Sequence, residues 1–341
     1  MRSISIAAML LDLIALVSIP SGAQTTYSIR RLHPAHTSFT DTRGGINRRG
    51  QVAGSFVRDG SSYAYIWDHG SFRVLGKGVA NGINSLGQVV GVSSVTNHAT
   101  LWKHGHALDL GTLGGDRSVA LGMNRHGVVV GYDQQTSSGN THAFQWESRT
   151  GMLRVPDFGG LHNQATGINS LGKVVGWSDD PSPSTTRRTV IWEHGTLTQF
   201  FVPDTYQPTP NKINNRDQVL VQSMNPEANR AIEVQIGTAG FSVNLLPNFT
   251  SNLATDINNP GTVVGYDLDA QGSARPFVCL SFRQVFDLNT LIPVAAQKRW
   301  VLQVAQGIND RGQIVGFGTF DGIPSGFLLT PSERISSPSC F

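Results

Sequence analysis

The side chains with the most obvious capacity for chemistry are ten histidines and a modest set of acidic residues. Three histidines, His69, His104 and His194, each follow a tryptophan by two positions and precede a glycine. Such recurrence marks equivalent positions of a repeated unit, which lie far apart around a ring. A metal site needs ligands that converge on one ion. We therefore expect structural or solvent-facing roles for these histidines.

Paired carboxylates are the second kind of chemistry for which the sequence can be searched. A glycoside hydrolase places two of them on either side of the scissile bond. Asp109, Asp157 and Asp287 recur at the end of a strand-like segment, which is typical of a turn device, and the chain has only five glutamates. No asymmetric acidic pair stands out. A carbohydrate-active enzyme of the hydrolase or lyase type is therefore the alternative interpretation.

A third group is the acidic segment that contains Asp267 and Asp269 and continues to Gly272. Alternating carboxylates before a glycine resemble part of a Ca²⁺-binding loop, but the distal glutamate of a complete loop is absent. An ordinary acidic hairpin is the simpler interpretation. The sequence thus predicts no cofactor, with Ca²⁺ at these two aspartates as the alternative.

Cys279 and Cys340 are the only cysteines. In an exported protein two cysteines can pair, and a bond between them would fix the C-terminal tail. A buried Cys279 with an unpaired Cys340 is the other possibility, and the sequence does not decide between them.

These residues lie within a repeated motif, seen clearly at residues 167–176, which reads Gly-Ile-Asn-Ser-Leu-Gly-Lys-Val-Val-Gly. Successive copies are 37 to 51 residues apart. Asn followed three residues later by Gly, between two apolar runs, predicts a tight hairpin turn. The asparagines assigned to these structural turns are Asn47, Asn84, Asn124, Asn169, Asn214, Asn258 and Asn309.

The runs beside each turn are β-branched and too short for helices. Each repeat continues with a strand-like segment, which ends on Trp in the first four copies, and then with a fourth segment. Four antiparallel strands in a repeat of this length form one blade of a propeller. The charged content of 14%, against roughly 25% in an average domain, suits sheets that are packed on both faces. The sequence therefore predicts an all-β, seven-bladed β-propeller in a single domain, residues 24–335.

The two ends of the chain predict how the ring closes. Residues 26–32 form a strand pattern before the first repeat, whereas the last repeat has three strands and then a short tail, residues 336–341. The N-terminal strand would then complete the last blade, which removes exposed sheet edges.

Residues 1–23 resemble a secretory signal peptide. Arg2 precedes a largely apolar stretch, and Ser21, Gly22 and Ala23 offer small residues for cleavage. The stretch is too short and too weakly apolar for a membrane span. We expect a secreted or periplasmic protein, with no membrane span in the mature chain.

A binding surface is expected where the repeats differ. The residue two positions before the motif isoleucine is mostly polar and varies between copies, and it would line an axial channel if the first strand is innermost. The predicted ligand-binding residues are Asn81, Thr166, Asn211, Thr255 and Gln306.

This pattern favours a binding scaffold for a polysaccharide or a surface protein. A purely structural envelope component is a further alternative. The net charge of +3 comes from scattered basic residues, which does not indicate a nucleic-acid partner. We expect a monomer.

Three motifs recur in one order: Ile-Asn-x-x-Gly-Gln-Val-Val-Gly, the segment His142-Ala143-Phe144 followed by Trp146, and the segment from Asp109 to Gly115. Together they resemble the HAF-type extracellular repeat proteins of bacteria. The resemblance covers almost all of the mature chain and implies an exported β-repeat protein. That family has no established activity, so the resemblance supplies no catalytic residue. Repeats five to seven depart from the pattern because they lack His-Ala-Phe.

Overall fold

The structure is a computed structural model that describes residues 26–32, 39–184, 186–202, 205–223, 230–237, 240–245, 252–269, 271–280 and 284–333. Secondary structure in these segments is almost entirely β, as predicted. The strands are β1 (Tyr27–Leu32), β2 (Phe39–Ile46), β3 (Val52–Arg58), β4 (Ser61–Asp68), β5 (Ser71–Ile83), β6 (Val89–Ser93), β7 (Ala99–Lys103), β8 (His106–Asp109), β9 (Arg117–Met123), β10 (Val129–Gln134), β11 (Thr141–Glu147), β12 (Gly151–Arg154), β13 (Asn163–Ile168), β14 (Val174–Asp179), β15 (Arg187–Glu193), β16 (Thr196–Phe200), β17 (Thr209–Ile213), β18 (Gln218–Ser223), β19 (Arg230–Gly237), β20 (Gly240–Leu245), β21 (Asn252–Ile257), β22 (Val263–Leu268), β23 (Ala274–Cys279), β24 (Val285–Asp287), β25 (Trp300–Ile308), β26 (Ile314–Phe320) and β27 (Ile323–Pro331).

The strands pair antiparallel in chain order. Repeats three to six each form a four-stranded sheet: β9 to β12, β13 to β16, β17 to β20 and β21 to β24. Repeats one and two share the long strand β5, whose first half pairs with β4 and whose second half pairs with β6. Repeat seven contributes β25, β26 and β27, and β1 pairs with β27 as the fourth strand of that sheet.

The motif turn joins the first and second strands of each repeat. Asn169 shows its geometry: its side-chain oxygen accepts hydrogen bonds from the backbone N–H groups of Leu171 and Lys173, both at 3.0 Å. Gly172 then adopts a φ of +88°, a conformation that glycine reaches without steric cost. The turn is thus determined locally, by the asparagine side chain and the glycine.

The core lies between neighbouring sheets. The two consecutive apolar residues after each turn, such as Val174 and Val175, point to opposite faces and are both at most 1% exposed. Val174 packs in a cluster with repeat three, and Val175 packs in a cluster with repeat five. Because both faces of every sheet are covered, the motif consists of adjacent apolar residues rather than an apolar–polar alternation.

The last glycine of the repeated motif allows the first and second strands to lie very close together. A Cβ atom placed on Gly176, the last residue of the motif, would lie 2.0 Å from the Gln164 carbonyl oxygen. The equivalent glycines in five other repeats have the same backbone contact, at 1.9–2.1 Å. Only glycine fits such an approach without a shift of the backbone.

Repeat six differs from the expected pattern at its fourth strand. Strand β24 ends at Asp287, whose side chain accepts a hydrogen bond from the Asn289 N–H at 2.8 Å and so caps α1 (Leu288–Leu291). A second short helix, α2 (Val294–Gln297), follows before β25. We expected Leu288 to belong to the strand, but the aspartate cap begins a helix there instead.

Candidate functional site: a cavity lined by strand bulges

The first strand of each repeat contains a β-bulge. In repeat two, for example, Ala80 pairs with Gly91 and Gly82 pairs with Val90, so Asn81 has no partner residue on β6. A bulge leaves one residue outside the regular pairing and turns its side chain. The same irregularity leaves one residue unpaired in each of repeats two to seven: Asn81, Leu121, Thr166, Asn211, Thr255 and Gln306.

Repeat one has a longer bulge than the others. Asp41 pairs with Ser55 and Gly45 pairs with Ala53, which leaves Thr42, Arg43 and Gly44 opposite a single residue. Gly44, which lies two positions before the motif isoleucine of repeat one, is therefore one of three bulged residues, whereas the corresponding residue of the other repeats is bulged alone.

These bulges converge on one cavity of about 580 Å³, which we call the bulge cavity. This volume is within the usual range for small-ligand sites. The bulge cavity is lined by Arg43, Asn81, Leu121, Thr166, Asn211, Lys212, Leu253, Ala254, Thr255, Tyr266, Val304, Gln306 and Phe317. The structure thus brings together all five residues that the sequence singled out for ligand binding. It also adds Arg43, Lys212 and the aromatic residues, which the sequence analysis missed.

Four of the five singled-out side chains bond to the next repeat. The Asn81 amide donates to the Ala120 carbonyl at 3.0 Å, and the Thr166 hydroxyl donates to the Pro210 carbonyl at 2.5 Å. Thr255 and Gln306 make the corresponding bonds: Thr255 donates to the Ala305 carbonyl, and Gln306 accepts from Thr42. These side chains therefore join neighbouring repeats, which the sequence did not reveal.

Fewer of the polar side chains that line the cavity are available to bind a ligand. Asn211, Lys212 and Arg43 line the bulge cavity, and none of their side chains forms a hydrogen bond or ion pair between repeats within the described residues. Tyr266 is partly buried in the same wall, and burial raises the pKa of its hydroxyl, which stays protonated at neutral pH. The bulge cavity thus presents cationic and amide groups, beside aromatic rings, to a ligand.

A narrower space next to the bulge cavity is lined, in repeats one to six, by the residue before the motif isoleucine or methionine. Five repeats have glycine there, but repeats five and six have Lys212 and Asp256. Asp256 accepts hydrogen bonds from the backbone N–H groups of Ile257, at 3.0 Å, and Ile308, at 2.9 Å. Burial raises the pKa of the Asp256 carboxyl, while nearby Lys212 opposes that shift.

The motif turns surround a second cavity, of about 390 Å³. Six of the seven motif asparagines donate from the side-chain amide to the carbonyl oxygen of the corresponding asparagine in the next repeat, at 2.9–3.3 Å. One of these bonds runs from Asn309 to Asn47 and so links the last repeat to the first. These six asparagines therefore shape their own turns and also bond to the neighbouring repeat.

The other predicted candidates lie elsewhere. Asp269 accepts hydrogen bonds from the N–H groups of Gln271 and Ser273, at 3.0 and 2.8 Å, as in an ordinary acidic turn. Across the described ranges, no group of three or more His, Cys, Asp or Glu side chains is placed to hold a metal ion. A Ca²⁺ role for Asp267 and Asp269 stays a prediction.

Cys279 is fully buried in β23. Cys340 and residues 1–23 lie outside the described residues, so the disulfide and the signal peptide stay predictions. No helix of the described segments is long and apolar enough to cross a membrane.

Solved structures resemble this chain in fold. The β-propeller domain of the Trilobed protease from Pyrococcus furiosus, with an open velcro topology, is similar with a TM-score of 0.58 at 12% identity, over 89% of this chain and 100% of that one. An oligogalacturonate lyase in complex with manganese is similar with a TM-score of 0.57 at 11% identity, over 91% and 97%.

A TolB from Acinetobacter baumannii gives a TM-score of 0.49 at 12% identity, and this chain covers 66% of its length. No protein-family model matches the sequence, and no curated protein is similar to it. The fold is therefore that of a β-propeller, and at these identities the similarity extends to the fold alone.

Proposed function

We propose that the chain is an exported, seven-bladed propeller of the HAF-repeat type. The pairing of β1 with β27 supports closure of the ring by the N-terminal strand. The bond from Asn309 to Asn47 supports it independently, since it joins the last repeat to the first. Export is supported by the sequence of residues 1–23.

We further propose that this propeller binds a saccharide in the bulge cavity. The composition of the cavity lining carries the proposal: amide, hydroxyl, cationic and aromatic side chains converge there, and none of the lining residues is an acid. A glycosidase needs two carboxylates at its site, so the lining favours binding over hydrolysis.

The arrangement of the lining suits a sugar ring. Tyr266 pairs with Leu253 on the neighbouring strand, and Phe317 pairs with Val304, so these four lining residues, which we call the aromatic wall, offer an apolar surface for a ring face. The Asn211 amide also lines the cavity and can pair with hydroxyl groups. Such a combination of apolar wall and a few placed polar groups is typical of ligand sites.

Thermal unfolding of the mature chain, residues 24–341, tests the proposal. A ligand that binds only the folded state raises the unfolding midpoint by mass action. The chain would be screened with neutral glycans, uronate-containing glycans and peptides. We expect at least one glycan to raise the midpoint in a concentration-dependent manner.

The variant Tyr266→Ala localises the binding. It removes one of the two aromatic side chains that line the bulge cavity, and we expect about a fivefold loss of affinity, since an aromatic contact contributes about 1 kcal/mol. Tyr132→Ala is the matched control, because Tyr132 occupies the same Val-Gly-Tyr-Asp position of repeat three and does not line the bulge cavity. Equal effects of the two variants, or no response to any glycan, would refute saccharide binding at this cavity.

A further inference from the structure

Lys212 occupies the position directly before the motif isoleucine of repeat five. The equivalent residue in five repeats is glycine, which leaves space between the first strands. Lys212 lines both the bulge cavity and the narrower space next to it, and it is only partly exposed. A partly buried ammonium group requires a partner, because removing a charge from water is costly.

Lys212 and Arg43 form no ion pair among the described residues. The acid that interacts electrostatically with Lys212 is Asp256, which lines the narrower space but not the bulge cavity. The Asp256 carboxylate accepts hydrogen bonds from two backbone N–H groups. A ligand in the bulge cavity would therefore meet the ammonium group and not the carboxylate.

Arg43 brings a second cation to the same cavity. It is exposed in the three-residue bulge of repeat one, and the neighbouring Asp41 is buried and accepts from the Arg43 backbone N–H at 3.0 Å. Four polar side chains of the lining have no hydrogen bond among the described residues, Arg43, Asn211, Lys212 and Tyr266, and two of these are cations. The lining contains no acid.

We infer that the ligand of the bulge cavity is a carboxylate-bearing saccharide, whose acid group is bound by Lys212 and Arg43. This inference rests on the proposed function, because it names the class of saccharide that the same cavity binds. An arginine can bind a carboxylate with two parallel hydrogen bonds, and a lysine acts as a point charge beside it. The aromatic wall and Asn211 would bind the rest of the sugar.

Isothermal titration calorimetry of the mature chain with matched probes tests the inference. Tetramannuronate and mannotetraose with the same linkage differ only in a carboxylate or a hydroxymethyl group on each ring. Tetraglutamate supplies carboxylates without a sugar. We expect tetramannuronate to bind at least about tenfold more tightly than either of the others, because charge-assisted hydrogen bonds are stronger than neutral ones.

Variants locate the carboxylate. Lys212→Gln and Arg43→Gln should each weaken tetramannuronate binding by about tenfold and leave mannotetraose binding nearly unchanged. Arg48→Gln is the control, since it removes the same charge at the cavity formed by the motif turns. Its effect should stay within about twofold.

The outcomes separate this inference from the proposed function. If neutral glycans bind but tetramannuronate does not bind more tightly, the acidic class is wrong and saccharide binding stands. Equal binding of tetraglutamate, or an acid affinity that Arg48→Gln lowers while Lys212→Gln does not, also overturns the inference. If no glycan of the thermal panel or the calorimetry binds, both proposals fail.

Discussion

Lys173 of repeat four and Asp217 of repeat five form an ion pair between two neighbouring motif turns. In repeats one, two and seven a glutamine follows the turn glycine, and Gln51 and Gln313 lie against the turn glycines of the next repeat, Gly87 and Gly50. Between repeats four and five, lysine replaces the glutamine and aspartate replaces the glycine. The Lys173 ammonium lies 2.8 Å from the Asp217 carboxylate, with only 11% and 24% of the side chains exposed.

The size of each single effect follows from these contacts. Asp217→Gly removes a charge-assisted bond of about 2 kcal/mol and also the bond from the Asn169 amide to Asp217, at 3.0 Å. It relieves about 1 kcal/mol of strain, because Asp217 has a φ of +61°. The net loss is about 1.5 kcal/mol, which lowers the unfolding midpoint by about 3 °C in a chain of this size.

Lys173→Gln keeps a donor near Asp217 but removes the charge, so we expect a loss of about 1 kcal/mol, or about 2 °C. The double variant restores a glutamine–glycine pair like that of Gln51 and Gly87. We expect its midpoint to lie within about 1 °C of the wild type rather than about 5 °C below it.

Differential scanning calorimetry of the four proteins measures this cycle, and Lys298→Gln, at an exposed lysine, is the control for loss of a charge. If the two single effects simply add in the double variant, the residues are not coupled. That result would refute the view that the pair substitutes for glutamine and glycine.

Three further predictions concern the fold. Gly176→Ala places a Cβ atom 2.0 Å from a backbone carbonyl oxygen and should lower the free energy of unfolding by about 3 kcal/mol. Gly105→Ala, where a Cβ atom would have no atom within 4 Å, should lower it by about 1 kcal/mol. Equal losses in chemical denaturation would contradict the close-packing argument. Burial raises the pKa of Tyr65 well above its usual value, so unfolded Tyr65 ionises first and stability should fall as the pH rises above about 10. Tyr65→Phe should reduce that slope and cost about 1 kcal/mol through a lost buried hydrogen bond, and an unchanged slope in alkaline unfolding would refute this. A Cys279–Cys340 disulfide should appear as a linked peptide in mass spectrometry and stabilise by about 2–4 kcal/mol, and two titratable thiols would exclude it.

The bulge cavity was predictable in position and only partly in chemistry. Variation at one register of the repeat marked Asn81, Thr166, Asn211, Thr255 and Gln306 as residues of one surface, and the structure places all five there. The bonds of four of them could not be foreseen, because each partner lies in the next repeat: Asn81, Thr166 and Thr255 donate to backbone carbonyls, and Gln306 accepts from Thr42. Arg43 was missed because the bulge of repeat one is two residues longer than the others.

The sequence by itself determined the local features of this protein. The asparagine and glycine of each motif define a hairpin within five residues, the paired apolar residues define a strand covered on both faces, and the recurrence defines the number of motifs. These properties depend on residues that are close together in the chain, so they can be predicted from the sequence alone.

Only the tertiary structure decided which side chains face a ligand and which hold the repeats together. Asn81 and Asn211 occupy the same register, yet the Asn81 amide bonds to the next repeat whereas the Asn211 amide makes no such bond within the described residues. Lys173 pairs with an aspartate 44 residues away, and Lys212 forms no ion pair among the described residues. The physical reason is that packing of one sheet against the next sets these distances, and the bulges direct side chains in ways that spacing along the chain does not specify.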